Sequence, residues 1–167
     1  LDGTKEFIKR NGDFTVNIAL IEKGVSTIGV VYIPVTDELF YAVSDQGAWQ
    51  EGKDQPLQAA TFTLKDEGLK VVASRSHLSP ETQAFMDDLN SPEVVSRGSS
   101  LKMIELAKGN AHLYPRLAPT MEWDTGAAQV ILEEAGGKMI DQTTGQRLAY
   151  NKEILRNNYF IAYGKLI

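Results

Sequence analysis

The sequence contains no cysteine. That removes disulfides, cysteine–zinc centres and thiol nucleophiles from consideration. Histidine is almost as scarce, with only His77 and His112. A histidine-rich metal site or a Ser-His-Asp triad is therefore poorly supplied. Any metal would be held mainly by carboxylates, which favours hard cations such as Mg²⁺. No stretch approaches the roughly 18 apolar residues of a membrane-spanning helix, and no secretory signal is read in the residues given. The formal charge is −5, so a general nucleic-acid surface is not expected. An acidic chain can still take an anionic substrate where its cations converge or a metal bridges the two. The lack of cysteine is compatible with a reducing, cytoplasmic compartment.

What is present fits one soluble domain. The chain has 167 residues, of which 43% are hydrophobic and 23% charged, enough to bury a core without staples. Phe14, Val16, Ile18 and Leu20 alternate with Thr15, Asn17 and Ala19, a strand period. Glu22-Lys23-Gly24 supplies a turn, and a β-branched run follows up to Pro34. A second strand pair surrounds Asp45-Gln46-Gly47. Residues 1–68 thus predict an antiparallel meander ending in a polar loop from Gly52 to Gly68. Tyr32, Phe40 and Trp49 are expected in its core. Residues 69–167 alternate strands and helices, which predicts a mixed α/β layer. One helix begins at Ser79 and Pro80, with Ala84, Phe85 and Leu89 on one face. Another runs up to Gly109, and a third ends at Gly136-Gly137.

Two short stretches carry chemistry. Asp2-Gly3-Thr4 could be an ordinary Asp-Gly turn. Equally, Gly3 allows an anion close to the backbone, and the amides of Gly3 and Thr4 could open a helical turn toward a phosphate. Asp124 falls in the first turn of the third helix. It could be only a helix-start residue, favoured there by the helix dipole. Ala127 and Ala128 at i+3 and i+4 make that face pack closely, which suits a carboxylate held as a metal ligand.

Together the two stretches are more specific. Asp-Gly-Thr with Phe7 five residues after Asp2, followed far downstream by Trp-Asp-x-x-Ala-Ala and Glu-Ala-Gly-Gly, resembles the inositol monophosphatase superfamily. "LDGTKEFIKRNGDFTVNIALI", "SRSH", "GSSLK" and "LYPR" resemble its 3'(2'),5'-bisphosphate nucleotidases of the CysQ type, over nearly the whole chain. The resemblance implies a layered α/β sugar-phosphatase-like fold, of which residues 1–167 would be the C-terminal part. It implies two or three Mg²⁺ ions, with Leu1, Asp2 and Asp124 as metal ligands. Asp2 and Thr4 would be catalytic, and Gly3 and Thr4 would bind phosphate. His77, Ser99, Lys102 and Arg116 would contact the nucleotide.

The implied reaction removes the 3'-phosphate of adenosine 3',5'-bisphosphate. Rival readings are an inositol or sugar monophosphate phosphatase and a non-catalytic binding module on the same scaffold. Each site residue also has a plainer role open to it. Lys102 could be a solvated helix lysine, Ser99 an N-cap, His77 a strand cap and Arg116 a surface strand end. By comparison with whole relatives, a glutamate ligand, the first aspartate of the signature and the covering N-terminal helices would lie before residue 1. The expectation is weak or no activity from these residues alone, and association through uncovered apolar faces. Some bacterial relatives attach loosely to the inner membrane, although no anchor is seen in these residues.

Overall fold

A computed structural model describes residues 2–73 and 79–167. Leu1 and His77 therefore lie outside the described residues. The first half forms the expected meander. Strands β1 (Val16–Glu22), β2 (Val25–Ile33), β3 (Glu38–Val43) and β4 (Ala48–Gln50) make one antiparallel sheet in chain order. A short helix, α1 (Thr4–Lys9), precedes it.

The second half builds a five-stranded sheet from β6 (Lys70–Ala73), β7 (Glu93–Ser96), β8 (Leu113–Arg116), β9 (Lys138–Asp141) and β10 (Phe160–Tyr163). Its order is β7-β6-β8-β10-β9. β6 is parallel to both β7 and β8, whereas β10 runs antiparallel to both its neighbours. Helix α2 (Pro80–Asp87) links β6 to β7, with Ser79 Oγ accepting the Thr82 N–H at 3.2 Å and Pro80 in the first turn. Helix α3 (Leu101–Ala107) leads into β8, and α4 (Glu122–Glu134) links β8 to β9. The polar stretch expected as loop contains one further strand, β5 (Thr61–Phe62). It pairs in parallel with β11 (Lys165–Leu166), about a hundred residues away in sequence. A two-residue strand carries too little periodicity to read.

Helices α3 and α4 fill the space between the two sheets. One continuous buried cluster joins Val31 and Phe40 of the first sheet, Ile104 and Ile131 of the helices, and Val72 and Phe160 of the second sheet. Helix α2 covers the far side of the second sheet through Met86, Phe85 and Leu89. Ala84 does not take part, being exposed. No helix among the described residues is long and apolar enough to cross a membrane.

The alternation along β1 is real, but Ile18 and Leu20 point away from the helices, and only past the bulge at Leu20/Ile21 does a large residue, Ile21, approach α4. Ile18 is 64% and Leu20 47% exposed, while Thr15 is fully buried. The reason is the approach of α4. Gly29 lies beneath it, where a Cβ would stand only 2.2 Å from the Ala127 carbonyl oxygen. A helix that close requires small residues on the face it covers. Tyr32 and Trp49 share the outward face, each half-buried with its polar atom bonded locally, to Asp37 and to the Gln46 carbonyl. Of the three aromatics expected in the core, only Phe40 is there.

Candidate active site

Asp2 is anchored by its backbone before its side chain does anything. Its N–H donates to the Thr15 carbonyl at 2.8 Å, and the Thr15 N–H returns a bond to the Asp2 carbonyl at 3.0 Å. Gly3 then turns the chain into α1 with φ of 91°. A side chain there would be strained and would meet the Asp13 carbonyl at 3.0 Å, so the position demands glycine. Phe7, packed edge-on against Phe14 at 5.1 Å, holds the short helix down.

The Asp2 carboxylate is gripped from the start of α3. Its Oδ2 accepts the Ser100 N–H at 2.9 Å and the Ser99 hydroxyl. Ser99 sits at φ of 49°, a left-handed conformation uncommon for a residue with a side chain. Behind it is a buried cluster of hydroxyls. Thr15 Oγ1 lies 2.7 Å from Ser99 Oγ and 2.8 Å from Ser100 Oγ. The Asn17 side-chain oxygen is 3.1 Å from Thr15 Oγ1 and 2.9 Å from Ser100 Oγ.

Asp124 reaches the same place from the first turn of α4. Its Oδ2 accepts the Met121 N–H at 2.9 Å, so it also caps the helix. Burial pushes its carboxyl above the usual range and the nearby charge of Asp2 adds to this. The Met121 N–H bond, Arg116 and Lys102 pull the other way. The helix start is strapped by the segment that follows β9. Asn157 is only 3% exposed, and its Nδ2, with two hydrogens to give, lies 2.9 Å from the Met121 carbonyl, 3.1 Å from Thr125 Oγ1 and 3.2 Å from Thr120 Oγ1. On the other side, the Glu122 carboxylate accepts the N–H groups of Asn151 and Lys152.

A cleft of about 290 Å³ opens between these elements. Asp2, Gly3, Ser99, Lys102, Arg116 and Asp124 all line it. Thr4 lines the adjoining hollow, again with Asp2, Gly3 and Asp124. Lys102 is only 8% exposed, lies 5.5 Å above the Tyr114 ring and has no ion pair among the described residues. It donates to the Ser99 carbonyl at 3.1 Å. Arg116 donates through Nη2 to the Pro119 carbonyl at 2.7 Å, and its buried Nε has no partner among the described residues. A buried cation such as Lys102 with no ion-pair partner among the described residues is costly until an anion arrives.

Ser99 is at the cleft as expected, although its hydroxyl is committed to Asp2 and Thr15. Thr15, Asn17, Ser100 and Asn157 are site-building residues that the sequence reading missed. The unbroken polar positions Thr15 and Asn17 on one face of a strand were the available signal. Among the described residues no group of three His, Asp or Glu side chains comes together. The cleft nevertheless offers carboxylates, those of Asp2 and Asp124 with Glu6 also in its lining, and no histidine among the described residues, a donor set suited to a hard divalent cation.

The model of the inositol monophosphatase family matches residues 1–166. The chain belongs to the inositol monophosphatase family. Members of this family are metal-dependent phosphatases. The chain is similar to the 3'(2'),5'-bisphosphate nucleotidase CysQ of Salmonella typhimurium, 45% identical over 150 residues. That match covers 86% of this chain and 60% of the relative. It is 44% identical to CysQ of Escherichia coli K12 over 141 residues, covering 84% of this chain and 56% of that one. The chain thus spans less than two thirds of the length of these curated relatives. Among solved structures, CysQ from Bacteroides thetaiotaomicron, a bacterial member of the family, superposes with a TM-score of 0.86 at 42% identity. There 99% of this chain and 68% of that one are covered.

Proposed function

We propose that this chain forms the substrate side of a Mg²⁺-dependent 3'(2'),5'-bisphosphate nucleotidase, which converts adenosine 3',5'-bisphosphate to AMP and phosphate. The observation that carries the reading is the meeting within one cleft of the carboxylates of Asp2 and Asp124 with two cations, Lys102, which is buried, and Arg116, which is half-buried. Asp2 and Asp124 hold the metal, with the Leu1 carbonyl as the ligand implied by family resemblance. When bound, the metal supplies Lewis-acid polarisation of the phosphoryl group and a nucleophilic water at neutral pH. The amides of Gly3 and Thr4 receive the phosphate being transferred, and the Thr4 hydroxyl orients the water. Lys102 and Arg116 neutralise the second phosphate of the substrate, Arg116 through its planar guanidinium. His77 belongs to the nucleotide-contacting set that the resemblance implies.

The rival within the family is a monophosphate phosphatase, for which a second cationic subsite would be idle. Steady-state phosphate release in the full-length protein separates them. Lys102→Ala should lower kcat/KM for adenosine 3',5'-bisphosphate about 10- to 100-fold, the worth of a charge-assisted hydrogen bond. Its effect on an inositol monophosphate should stay within about threefold, since no second phosphate is lost. Equal losses would favour the monophosphate reading. No Mg²⁺-dependent release from either substrate would overturn the enzymatic one.

A further inference from the structure

The hydroxyl cluster behind Asp2 can be solved by counting protons. Five contacts join Thr15–Asn17, Thr15–Ser99, Thr15–Ser100, Ser100–Asn17 and Ser99–Asp2. Each needs one hydrogen. Three hydroxyls supply three, and a carboxylate or an amide oxygen supplies none. With the Asn17 oxygen facing the hydroxyls, two contacts have no hydrogen. In that orientation Asn17 Nδ2 is also buried with no partner among the described residues, the costlier kind of orphan, since two donors are lost at once.

A half turn of the Asn17 amide about χ2 exchanges oxygen and nitrogen at nearly the same positions. The count then closes. Nδ2 gives one hydrogen to Thr15 and one to Ser100. Ser100 donates to Thr15, Thr15 to Ser99 and Ser99 to Asp2. Each hydrogen is used once and each hydroxyl oxygen accepts within its two lone pairs. All hydroxyl protons now run one way, toward the Asp2 carboxylate, which also takes the Ser100 N–H.

We infer that Asn17 is a positioning residue, its amide nitrogen heading a one-way chain of donors through Ser100, Thr15 and Ser99 that fixes Oδ2 of Asp2. Such a chain leaves Oδ1 of Asp2 for a cation and holds the carboxylate in one rotamer. The left-handed Ser99 fits this arrangement, because its strained backbone aims both the hydroxyl and the next N–H at one oxygen. The link to metal rests on reading Asp2 as a metal ligand, whereas the amide orientation does not.

Asn17→Asp separates the two orientations. An aspartate keeps the shape but offers acceptors only. Were the oxygen side facing the hydroxyls, the donor pattern would be unchanged and only the added negative charge would act, which attracts a cation rather than weakening its binding. With the nitrogen side facing them, it draws the Thr15 and Ser100 protons away from Asp2. Mn²⁺ affinity, measured by titration calorimetry on folded protein, should fall roughly 10- to 100-fold, as for other residues that orient a metal ligand. A merely structural role would lower the melting temperature and leave affinity unchanged. Affinity within twofold of the parent, or above it, overturns the inference. In the unsubstituted full chain, ¹⁵N NMR should show the Asn17 Nδ2 protons slowed in exchange, with cross-peaks to Thr15 and Ser100 side chains. Freely exchanging protons without those cross-peaks overturn it too, whether or not the variant folds. If the parent protein itself fails to bind Mn²⁺, the metal reading of Asp2 is what falls, and the NMR result still decides the amide.

Discussion

Two glycines at the contact between α4 and the first sheet should respond to the same substitution with opposite signs. Gly29 is buried in β2. A Cβ there would stand 2.2 Å from the Ala127 carbonyl oxygen and 2.5 Å from Val130 Cγ1. Ordinary contacts lie near 3.5 Å, so the helix must retreat by roughly 1 Å. The nearest obstacle is backbone, which has no rotamer to change. Overpacking of this kind costs about 1–3 kcal/mol, and Gly29→Ala belongs at the upper end. At about 2–4 °C per kcal/mol for a chain of this size, the melting temperature should fall by about 6–12 °C. Gly126 faces the same sheet from within α4, but its Cβ would meet Ala19 at 3.4 Å and Ile21 at 3.6 Å, ordinary contact distances. Gly126→Ala should gain up to about 1 kcal/mol of helix propensity, because alanine loses less backbone freedom. Differential scanning calorimetry of both variants tests the pair. A Gly29→Ala protein that melts within 1 °C of the parent, or a Gly126→Ala protein that loses more than it, would refute the packing argument. Because α4 carries Asp124 in its first turn, Gly29→Ala should also raise the Mg²⁺ concentration needed for half-maximal activity in the full-length protein.

The Asn157 Nδ2 touches three polar atoms around the start of α4, so Asn157→Leu leaves buried partners unmet and should cost about 2–4 kcal/mol by urea unfolding. An unchanged midpoint would mean that the strap from residues 149 to 158 does not hold the helix. His112 accepts the Lys70 N–H on Nδ1 at 2.8 Å, and burial, reinforced by the Lys70 charge, lowers its pKa. The folded state therefore resists protonation more than the unfolded one. Its contribution is present above the unfolded value of about 6.5 and is lost as pH falls from there through the lower folded value. The urea midpoint should thus drop between pH 7.5 and pH 5.5, and His112→Asn should flatten that slope. An identical slope in the variant would assign the drop to other groups.

The signatures around Asp2 and Asp124 were legible because they are local. Asp-Gly-Thr needs a turn that only Gly3 permits, and Asp124 needs a helix start, so residue types at fixed offsets mark both. Ser79-Pro80 and Gly136-Gly137 marked helix ends for the same reason. The grip on Asp2 was not legible. Ser99 read as an N-cap or a nucleotide contact and Ser100 carried no signal, and only the docking of α3 beside β1 turns their donors onto a carboxylate almost a hundred residues earlier. Lys102 by itself read as a solvated helix lysine, the commoner fate, and only the family resemblance made it a ligand contact. Its burial beside Tyr114 is what makes it a charge in need of a partner.

By itself, then, the amino-acid sequence determined the order of strands and helices, the turns, and the two acidic signatures, all of which depend on neighbours within a few residues. It also set the two-residue period of β1. Which side of that period is covered was decided by tertiary structure. Alternation defines two faces, and only the close seat of α4 over Gly29 selects the one with buried Thr15 and half-buried Asn17. The same seat brings Asp124 over Asp2 and buries the polar residues that hold it. A one-dimensional pattern has no record of that contact, because the residues that make it lie on opposite sides of the chain and meet only in the fold.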